Sequence, residues 1–252
     1  MNDFMILSKI GEGAYSEVYK VKRVSDKQVY ALKKVKMGSL STKEKENALN
    51  EVRILASVKH ETIIGYKEAF FEDSTACLCL VMEFADDQDL YHKIVKHQKS
   101  NQYIDETTIW AIFIQMVRAL NVLHGKKILH RDLKSANVFL SRQSHARLGD
   151  LNVSKVAKKG LLYTQTGTPY YASPEVWQDK PYDSKSDIWS MGCVLYEMCA
   201  LKPPFRANDM NGLYKRVLKG HYPPIDPKHY SKSLQSVIAS MLCVDANLRP
   251  SS

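Results

Sequence analysis

The sequence has no long hydrophobic run, no paired cysteine pattern and no low-complexity stretch. Residues 1–30 lack an apolar signal core, and nowhere do about 18 uninterrupted apolar residues occur, so we expect neither secretion nor a membrane span. The five cysteines are Cys77, Cys79, Cys193, Cys199 and Cys243. Because they form an odd set without CxxC spacing, they argue against a disulfide framework and a structural zinc site, and they indicate a reduced, intracellular protein.

No Pro/Gly/Ser-rich linker separates two independent hydrophobic cores. A chain of 252 residues with 44% hydrophobic composition can bury most of its surface on folding. We therefore expect one domain over residues 1–252, with two lobes that share one cleft.

The formal net charge is +9, from 36 Lys and Arg against 27 Asp and Glu. The charges are spread along the chain, which indicates a solvated basic surface that would attract polyanions such as nucleotides or acidic protein tracts. Since no basic stripe is interleaved with aromatic residues, we expect no specific nucleic-acid partner.

The first 83 residues predict a small sheet that carries one helix. Short runs such as Val18–Val21 and Val29–Lys33 alternate apolar and polar positions, as strands of a hairpin half facing solvent do, and Ser25–Lys27 is the predicted turn between them. Leu78–Met82 is a further apolar strand. Between these strands, a capping box at Ser41 and apolar residues at helical spacing predict a helix over about Thr42–Ser57.

The rest of the chain predicts a mostly helical part. Asp105 precedes an apolar stripe at helical spacing, which Gly125 is expected to end. The run Ser186–Ala200 is apolar nearly all round, as in a buried helix, and two more helices are predicted over Asn208–Lys219 and Ser231–Cys243. The expected fold class is α+β and bilobal, with a β-rich N-terminal lobe (1–83), a hinge (84–89) and a larger helical C-terminal lobe (90–252).

Gly11 and Gly13 lie in the predicted turn of the first hairpin. Without a Cβ, backbone N–H groups there can approach a phosphate chain, although glycines in such turns usually only make the turn. Lys33 ends a strand, and Glu51 lies 18 residues further on, in the middle of the predicted helix. An isolated lysine is nearly always a surface residue, but one paired with a helix carboxylate beside a phosphate loop becomes a rigid phosphate contact.

The most specific signal is the string HRDLKSAN over residues 130–137, with Asp150 placed 18 residues after Asp132. Phosphoryl transfer needs an oriented hydroxyl, metal ions and charge stabilisation, and little covalent chemistry from the protein. Asp132 would accept the substrate proton, and Lys134 would steady the transferring group. Asn137 and Asp150 offer hard oxygen ligands for Mg²⁺. A charged loop with ordinary salt bridges is the alternative, and the order of the motifs weighs against it.

With these motifs the whole chain resembles a eukaryotic protein kinase of the serine/threonine branch. Lys134 and the string GTPYY after residue 166 mark that branch, and HRDLKSANVFL, GTPYYASPEVW and DIWSMGCVLYEM most resemble the NIMA-related kinases. The resemblance implies transfer of the γ-phosphate of ATP to Ser or Thr hydroxyls of protein substrates. ATP and Mg²⁺ are the implied cofactors, with Mn²⁺ as the alternative metal.

The resemblance also implies which residues bind ATP. They are Ile10, Gly11, Gly13, Val18, Ala31, Lys33, Met82, Glu83, Ala85 and Phe139. In this set Met82 is the gatekeeper, Glu83 and Ala85 are hinge backbone partners of adenine, and Val18, Ala31 and Phe139 enclose the ring. Taken singly, each of these apolar residues is equally well explained by core packing.

Structural roles are implied for Arg131, Lys155, Thr168, Glu175, Asp187 and Arg249. Glu175 is expected to pair with Arg249, and Asp187 to hold the backbone of the catalytic loop.

The metal motif reads Asp150-Leu151-Asn152, where most kinases have Asp-Phe-Gly. A pseudokinase or cytoskeletal scaffold without turnover is therefore an alternative, and a structural subunit that retains activity is another. The residues that weigh against loss of activity are Lys33, Glu51, Asp132, Asn137 and Asp150.

The sequence stops at Ser252, where the kinase fold normally adds another helix, so we expect a piece of a longer protein. NIMA-related kinases commonly continue into coiled coils that target centrosomes, basal bodies or cilia. We accordingly expect a cytoplasmic or cytoskeletal location, with the nucleus as alternative, microtubule or ciliary partners, and a role in the cell cycle or at cilia. Dimerisation is expected only if a coiled coil follows.

Three threonines compete as the regulatory phosphorylation site, at 164, 166 and 168. Thr168 is expected to bond Asp132 and Lys134, so a phosphate there would crowd the catalytic centre. Thr164 lies three residues before Gly167, matches the activating site of related kinases, and is expected to turn towards Arg131 and Lys155.

Thr164→Ala is predicted to abolish activation by phosphorylation. A phosphate adds a charge of about −1.5 to −2 and three acceptor oxygens, which can order a partly docked segment between Asp150 and Glu175. The measurement is kinase activity before and after phosphatase treatment, with Thr166→Ala as the matched control. Unchanged activity in Thr164→Ala would show that Thr164 is not the switch.

Overall fold

The computed structural model describes the chain over residues 3–13, 16–38, 43, 46, 49, 52–53, 56–85, 88–141, 145–149 and 169–252. Five residues with predicted roles lie outside these ranges: Glu51, Asp150, Lys155, Thr164 and Thr168. The described residues fall into two compact units, one that runs to Ala85 and one that comprises residues 88–149 and 169–252. Within these ranges, no helix is both long enough and apolar enough to cross a membrane.

The first unit is an antiparallel sheet of five strands in the order β1-β2-β3-β5-β4. The strands are β1 (Phe4–Gly13), β2 (Ser16–Arg23), β3 (Val29–Lys36), β4 (Tyr66–Glu72) and β5 (Cys77–Glu83). The predicted strands are confirmed. β4 is an addition that the alternation rule misses, because a register shift between Tyr66 and Glu68 breaks the two-residue period.

The turn between β2 and β3 forms where it is predicted. Asp26 accepts a hydrogen bond from the backbone N–H of Gln28 at 2.9 Å, and Lys27 adopts a positive φ of 60°. A short carboxylate side chain can fold the backbone in this way. Of the predicted helix over Thr42–Ser57, the described positions up to Ala56 are helical: Lys43, Glu46, Leu49, Val52, Arg53 and Ala56. Ser57 already lies in a turn.

The second unit is mostly helical, which confirms the α+β class with a sheet-rich and a helical part. Its helices are α1 (Leu90–Ser100), α2 (Glu106–Gly125), α3 (Pro174–Trp177), α4 (Ser184–Ala200), α5 (Met210–Lys219) and α6 (Lys232–Met241). A short hairpin adds β6 (Val138–Leu140) and β7 (Ala146–Leu148).

Local capping sets the helix ends. Asp105 caps α2 by accepting from Thr108 N, as predicted. α4 begins two residues before the predicted start, because the Asp183 side chain accepts the N–H groups of Lys185 and Ser186. α2 ends at Gly125, as expected, but Gly125 is its last residue and the positive φ falls on Lys127.

Helix α4 forms the centre of the second unit and is buried along nearly its whole length. α6 packs against it at Gly192. A Cβ at Gly192 would lie 2.8 Å from Met241 Cβ and 3.1 Å from Leu242 Cδ2, which is closer than real carbon contacts allow. Glycine at this position therefore permits the close approach of the two helices.

Gly192→Ala is predicted to lower the free energy of unfolding by about 1–3 kcal/mol, because overpacking outweighs the higher helix propensity of alanine. The matched control is Gly125→Ala in α2, where a Cβ would meet no described atom within 4 Å. That change is expected to raise stability by about 0.4–1 kcal/mol. Urea unfolding measures both effects. A Gly192→Ala protein as stable as the parent would contradict the packing account.

Candidate active site

In the first unit, strand register brings predicted nucleotide-binding residues to one face of the sheet. Val18 pairs with both Gly11 and Lys33, and Ala31 pairs with Met82. Directly paired residues share a face, and so do residues two apart along a strand. These five positions therefore lie on the same face.

The opposite face of the sheet carries an apolar cluster. Its buried residues are Phe4, Val21, Leu32, Cys79 and Val81. This cluster and the predicted binding residues lie on opposite faces because side chains alternate along β2, β3 and β5.

The two glycines of the first hairpin, Gly11 and Gly13, differ in the space available for a Cβ. A Cβ at Gly13 would lie 3.1 Å from Ser16 Oγ, which is tight. A Cβ at Gly11 would meet only the Val18 side chain, at an ordinary 3.5 Å, among the described atoms. Packing of the hairpin does not demand glycine at Gly11, so its lack of a Cβ fits a ligand that the backbone approaches closely. Ile10, at a register shift beside Gly11, has an exposed side chain.

The end of β5 is fixed by contacts of Glu83. Its backbone N–H donates to Gly65 O at 2.9 Å, and its carboxylate accepts from Gly65 N at 3.3 Å and from Lys67 Nζ at 2.9 Å. A Cβ on Gly65 would lie 2.9 Å from the Glu83 carboxyl carbon, so a larger residue there would displace the Glu83 side chain. These bonds hold the chain that leads to half-buried Ala85.

In the second unit, three predicted catalytic-loop residues meet at one carboxylate. Asp132 Oδ2 accepts from Lys134 Nζ at 2.9 Å and from Asn137 Nδ2 at 3.1 Å. Asn137 Nδ2 also donates to Asp132 O at 2.7 Å. The side chains of Asp132 and Lys134 are 37% and 38% exposed, so a substrate group can reach them. Phe139 follows on β6, half-buried opposite Arg147.

The orientation of Asn137 fits a hard divalent cation. Because Nδ2 points to Asp132, Oδ1 of the same amide points away from that carboxylate and can serve as an oxygen ligand. The Asn137 carbonyl accepts the N–H of Gly149 at 3.0 Å, which brings the residue before Asp150 to Asn137. Asp150 itself lies outside the described ranges.

The backbone of the catalytic loop is held by Asp187 on α4. Its buried carboxylate accepts the N–H of His130 at 2.9 Å, the N–H of Arg131 at 3.0 Å and His124 Nε2 at 2.8 Å, and it accepts from the Tyr182 hydroxyl. Burial alone raises the pKa of this carboxyl, but the hydrogen bonds outweigh burial and lower it. Arg131, whose side chain is exposed, adopts a positive φ of 66°.

A buried network that the sequence did not reveal supports the same loop. The Tyr171 hydroxyl donates to Glu197 Oε2 at 2.7 Å and lies 3.0 Å from Ser135 Oγ. Burial raises the pKa of the Glu197 carboxyl. The carboxylate of Glu197 in the mostly apolar run of α4 was the signal that could have found it, because buried polar groups need partners.

Glu175 and Arg249 form a bidentate ion pair. Arg249 Nη1 and Nη2 donate to the two carboxylate oxygens at 2.7 and 2.8 Å, and Ser186 Oγ donates at 2.7 Å. Burial raises the pKa of the Glu175 carboxyl, but the bonds from Arg249 and Ser186 outweigh it and lower the pKa to about 2. The pair joins the start of α3 to the chain after α6, which are 74 residues apart in sequence.

Comparison with known proteins agrees with this geometry. A family model of the protein kinase domain matches residues 4–252. Mouse serine/threonine-protein kinase Nek1 is 38% identical over 253 residues, which is 100% of this chain and 21% of that protein. Mouse Nek4 is 42% identical over 244 residues, with 96% and 30% covered, and human Nek2 is 37% identical over 256 residues, with 99% and 57% covered.

The chain belongs to the protein kinase family, and its similarity to Nek1, Nek4 and Nek2 confirms the expected NIMA-related resemblance. It spans between about a fifth and three fifths of the length of these relatives. The family implies ATP and a divalent metal cation.

The ion pair of Glu175 predicts a specific pH dependence. A depressed carboxyl pKa contributes stability above the unfolded pKa of about 4.5, and this stability is lost as pH falls towards about 2. The difference in unfolding free energy between parent and Glu175→Gln is expected to be about 1.4 kcal/mol smaller at pH ~3.5 than at pH ~7. Urea unfolding across this range measures it. A difference that does not change with pH would contradict the paired, ionised carboxylate.

Proposed function

We propose that this chain transfers the γ-phosphate of ATP to Ser or Thr hydroxyls of protein substrates. The single observation that carries the proposal is the Asp132 carboxylate, held by Lys134 and Asn137 while still open to solvent. The family membership and the Nek relatives support the same reaction.

The described side chains divide the chemistry of the second unit among them. The Asp132 carboxylate orients the substrate hydroxyl and takes its proton, which is the general-base role in this reaction class. The Lys134 ammonium lies 2.9 Å from Asp132 Oδ2. At this position it can balance the negative charge of the transferring phosphoryl group. Asn137, with Asp150, would hold the divalent cation, for which Mg²⁺ is our choice and Mn²⁺ the alternative. When bound, ATP and this cation supply the phosphoryl group and the neutralisation of its charge.

The residues of the first unit bind nucleotide in this proposal. Lys33, in partnership with Glu51, contacts phosphate oxygens, and the hairpin backbone at Gly11 and Gly13 approaches the same chain. Val18, Ala31 and Met82, which share the face of Lys33, contact the adenine ring. Glu83 and Ala85 provide backbone hydrogen bonds to adenine. Ile10 and Phe139 are assigned to the ring on the family resemblance alone.

We further propose that the whole protein acts in cell-cycle, centrosome or cilium regulation, in the cytoplasm or on the cytoskeleton. The support is the similarity to Nek kinases and the net charge of +9, which favours acidic surfaces such as microtubules. Cosedimentation of the full chain with microtubules at two salt concentrations tests the partner. A chain that stays in the supernatant at both would contradict microtubule binding.

Asp132→Asn is predicted to reduce phosphate transfer by roughly 10²-fold or more and to leave ATP binding nearly intact, because Asp132 orients the acceptor and does not hold the nucleotide. The assay is transfer of labelled phosphate to a generic basic protein, beside binding of a fluorescent ATP analogue. Asp226→Asn is the matched control, since this exposed carboxylate accepts only from the backbone of the Lys228 turn among the hydrogen bonds described.

Comparable turnover by Asp132→Asn and the parent, with contaminating kinases excluded, would contradict the catalytic assignment. A parent protein that binds the ATP analogue without transfer would favour the pseudokinase alternative.

A further inference from the structure

Helix α1 bears a concave region outside the residues assigned to phosphoryl transfer. It has a volume of about 480 Å³ and is lined by Gln88, His92, Val95, Lys96, Lys99 and Ser100. We refer to it as the α1 groove. Ligand sites in proteins typically have volumes of roughly 300–1,000 Å³, so the groove can hold a side chain or a short peptide segment.

The groove is formed on one face of a firmly seated helix. His92, Lys96 and Lys99 follow one another at spacings of four and three residues, which places them on the same side of α1. Leu90 and Ile94 are buried. They anchor α1 against β6 and against the turn Ser135–Asn137 that precedes β6. The Gln88 carbonyl accepts the N–H of Leu140 at 3.2 Å, which fixes the entry to the helix.

The described residues that line the groove include the basic side chains of Lys96 and Lys99 and no acidic side chain. The helix contains Lys93, Lys96 and Lys99 and no acidic residue. Within the described ranges, neither Lys96 nor Lys99 forms an ion pair, whereas Lys34 in the first unit lies 2.6 Å from a carboxylate oxygen of Glu72. The ammonium groups of the groove are therefore open to a partner that brings carboxylates.

Stabilisation of the helix dipole explains only part of this arrangement. Cations favour the last turn of a helix, which accounts for Lys99. Lys96 precedes that turn, so the helix end does not account for its position in the groove.

We propose that the α1 groove binds an extended, acidic peptide segment of a protein partner. Helix residues 92 to 99 rise about 10.5 Å, and three residues of an extended peptide span roughly 10 Å. Side chains two residues apart lie on the same face of such a peptide. Carboxylates on the face turned to the helix pair with Lys96 and Lys99, and an apolar side chain on that same face lies over Val95 and the aliphatic stems of the lysines. This site is separate from phosphoryl transfer and gives the kinase a means of selecting its partners.

The test uses the full chain and a fluorescein-labelled nine-residue peptide in which Glu and Leu take turns at every second position with Ser between them, so that both lie on one face. Binding of this Glu/Leu peptide is measured by fluorescence anisotropy at about 0.15 M salt. The double variant Lys96→Glu/Lys99→Glu is expected to weaken binding roughly tenfold or more, because each change replaces an attraction with a repulsion. The matched control is Lys215→Glu/Lys219→Glu on α5, which makes the same charge change on exposed lysines of another basic helix. The control variant is expected to bind the peptide with an affinity within about twofold of that of the parent protein.

A second variant tests the floor of the groove. Val95→Thr is expected to weaken binding of the Glu/Leu peptide. Binding of a Glu/Gly peptide, in which Gly replaces each Leu, is expected to be unaffected, since only the Glu/Leu peptide places an apolar side chain over Val95. Thermal unfolding and turnover on a peptide without acidic residues are expected to match the parent for all variants.

Three results would overturn the proposal: no binding of the Glu/Leu peptide, an equal loss in both double variants, or single-stranded DNA that binds as tightly with the same dependence on Lys96 and Lys99. The last result would assign the groove to nucleic acid and not to a protein segment.

Discussion

The buried carboxylate of Asp187 is the group on which the catalytic loop depends. Two of its hydrogen bonds go to the successive backbone N–H groups of His130 and Arg131, immediately before the residue that faces substrate. A non-glycine residue at positive φ costs of order 1–3 kcal/mol and persists only where its surroundings enforce it. Arg131 is such a residue, and the carboxylate behind it provides that enforcement. Since Asp187 belongs to the most deeply buried helix, the loop takes its position from the core of the second unit.

Further contacts extend this support around the loop. The Ser135–Tyr171–Glu197 network connects the turn after Lys134 to α4 by a second route. The Glu175–Arg249 pair fastens the chain beyond Tyr171 to the segment after α6. Buried carboxylates require hydrogen-bond donors, and each carboxylate here has at least one defined donor. In the first unit, strand register alone positions the predicted binding residues, without a buried charge. It places Val18, Ala31, Lys33 and Met82 on one face of the sheet.

Much of the fold follows from local sequence rules. Alternation predicts β2 and β3, a continuous apolar run predicts β5, and Asp105 before an apolar stripe predicts the start of α2. The missed element α1 has only Leu90 and Ile94 buried, so its apolar stripe is too narrow to stand out among basic residues. The catalytic string was found because its chemistry is concentrated in eight consecutive residues. The Tyr171–Glu197 contact was not found from the sequence, because it joins residues 26 positions apart and forms only after α4 has packed.

Replacement of Asp187 tests the central claim most directly. In Asp187→Asn one acceptor oxygen becomes an NH₂ group, which cannot bond the loop N–H groups. We expect kcat to fall by roughly 10²-fold with KM for ATP changed less than about threefold, and the amide hydrogens of His130 and Arg131 to exchange faster. Asp183→Asn, at the cap of the same helix, is the matched control, because asparagine caps helices as well as aspartate and both properties should remain. Unchanged kcat and unchanged amide exchange in Asp187→Asn would contradict the account.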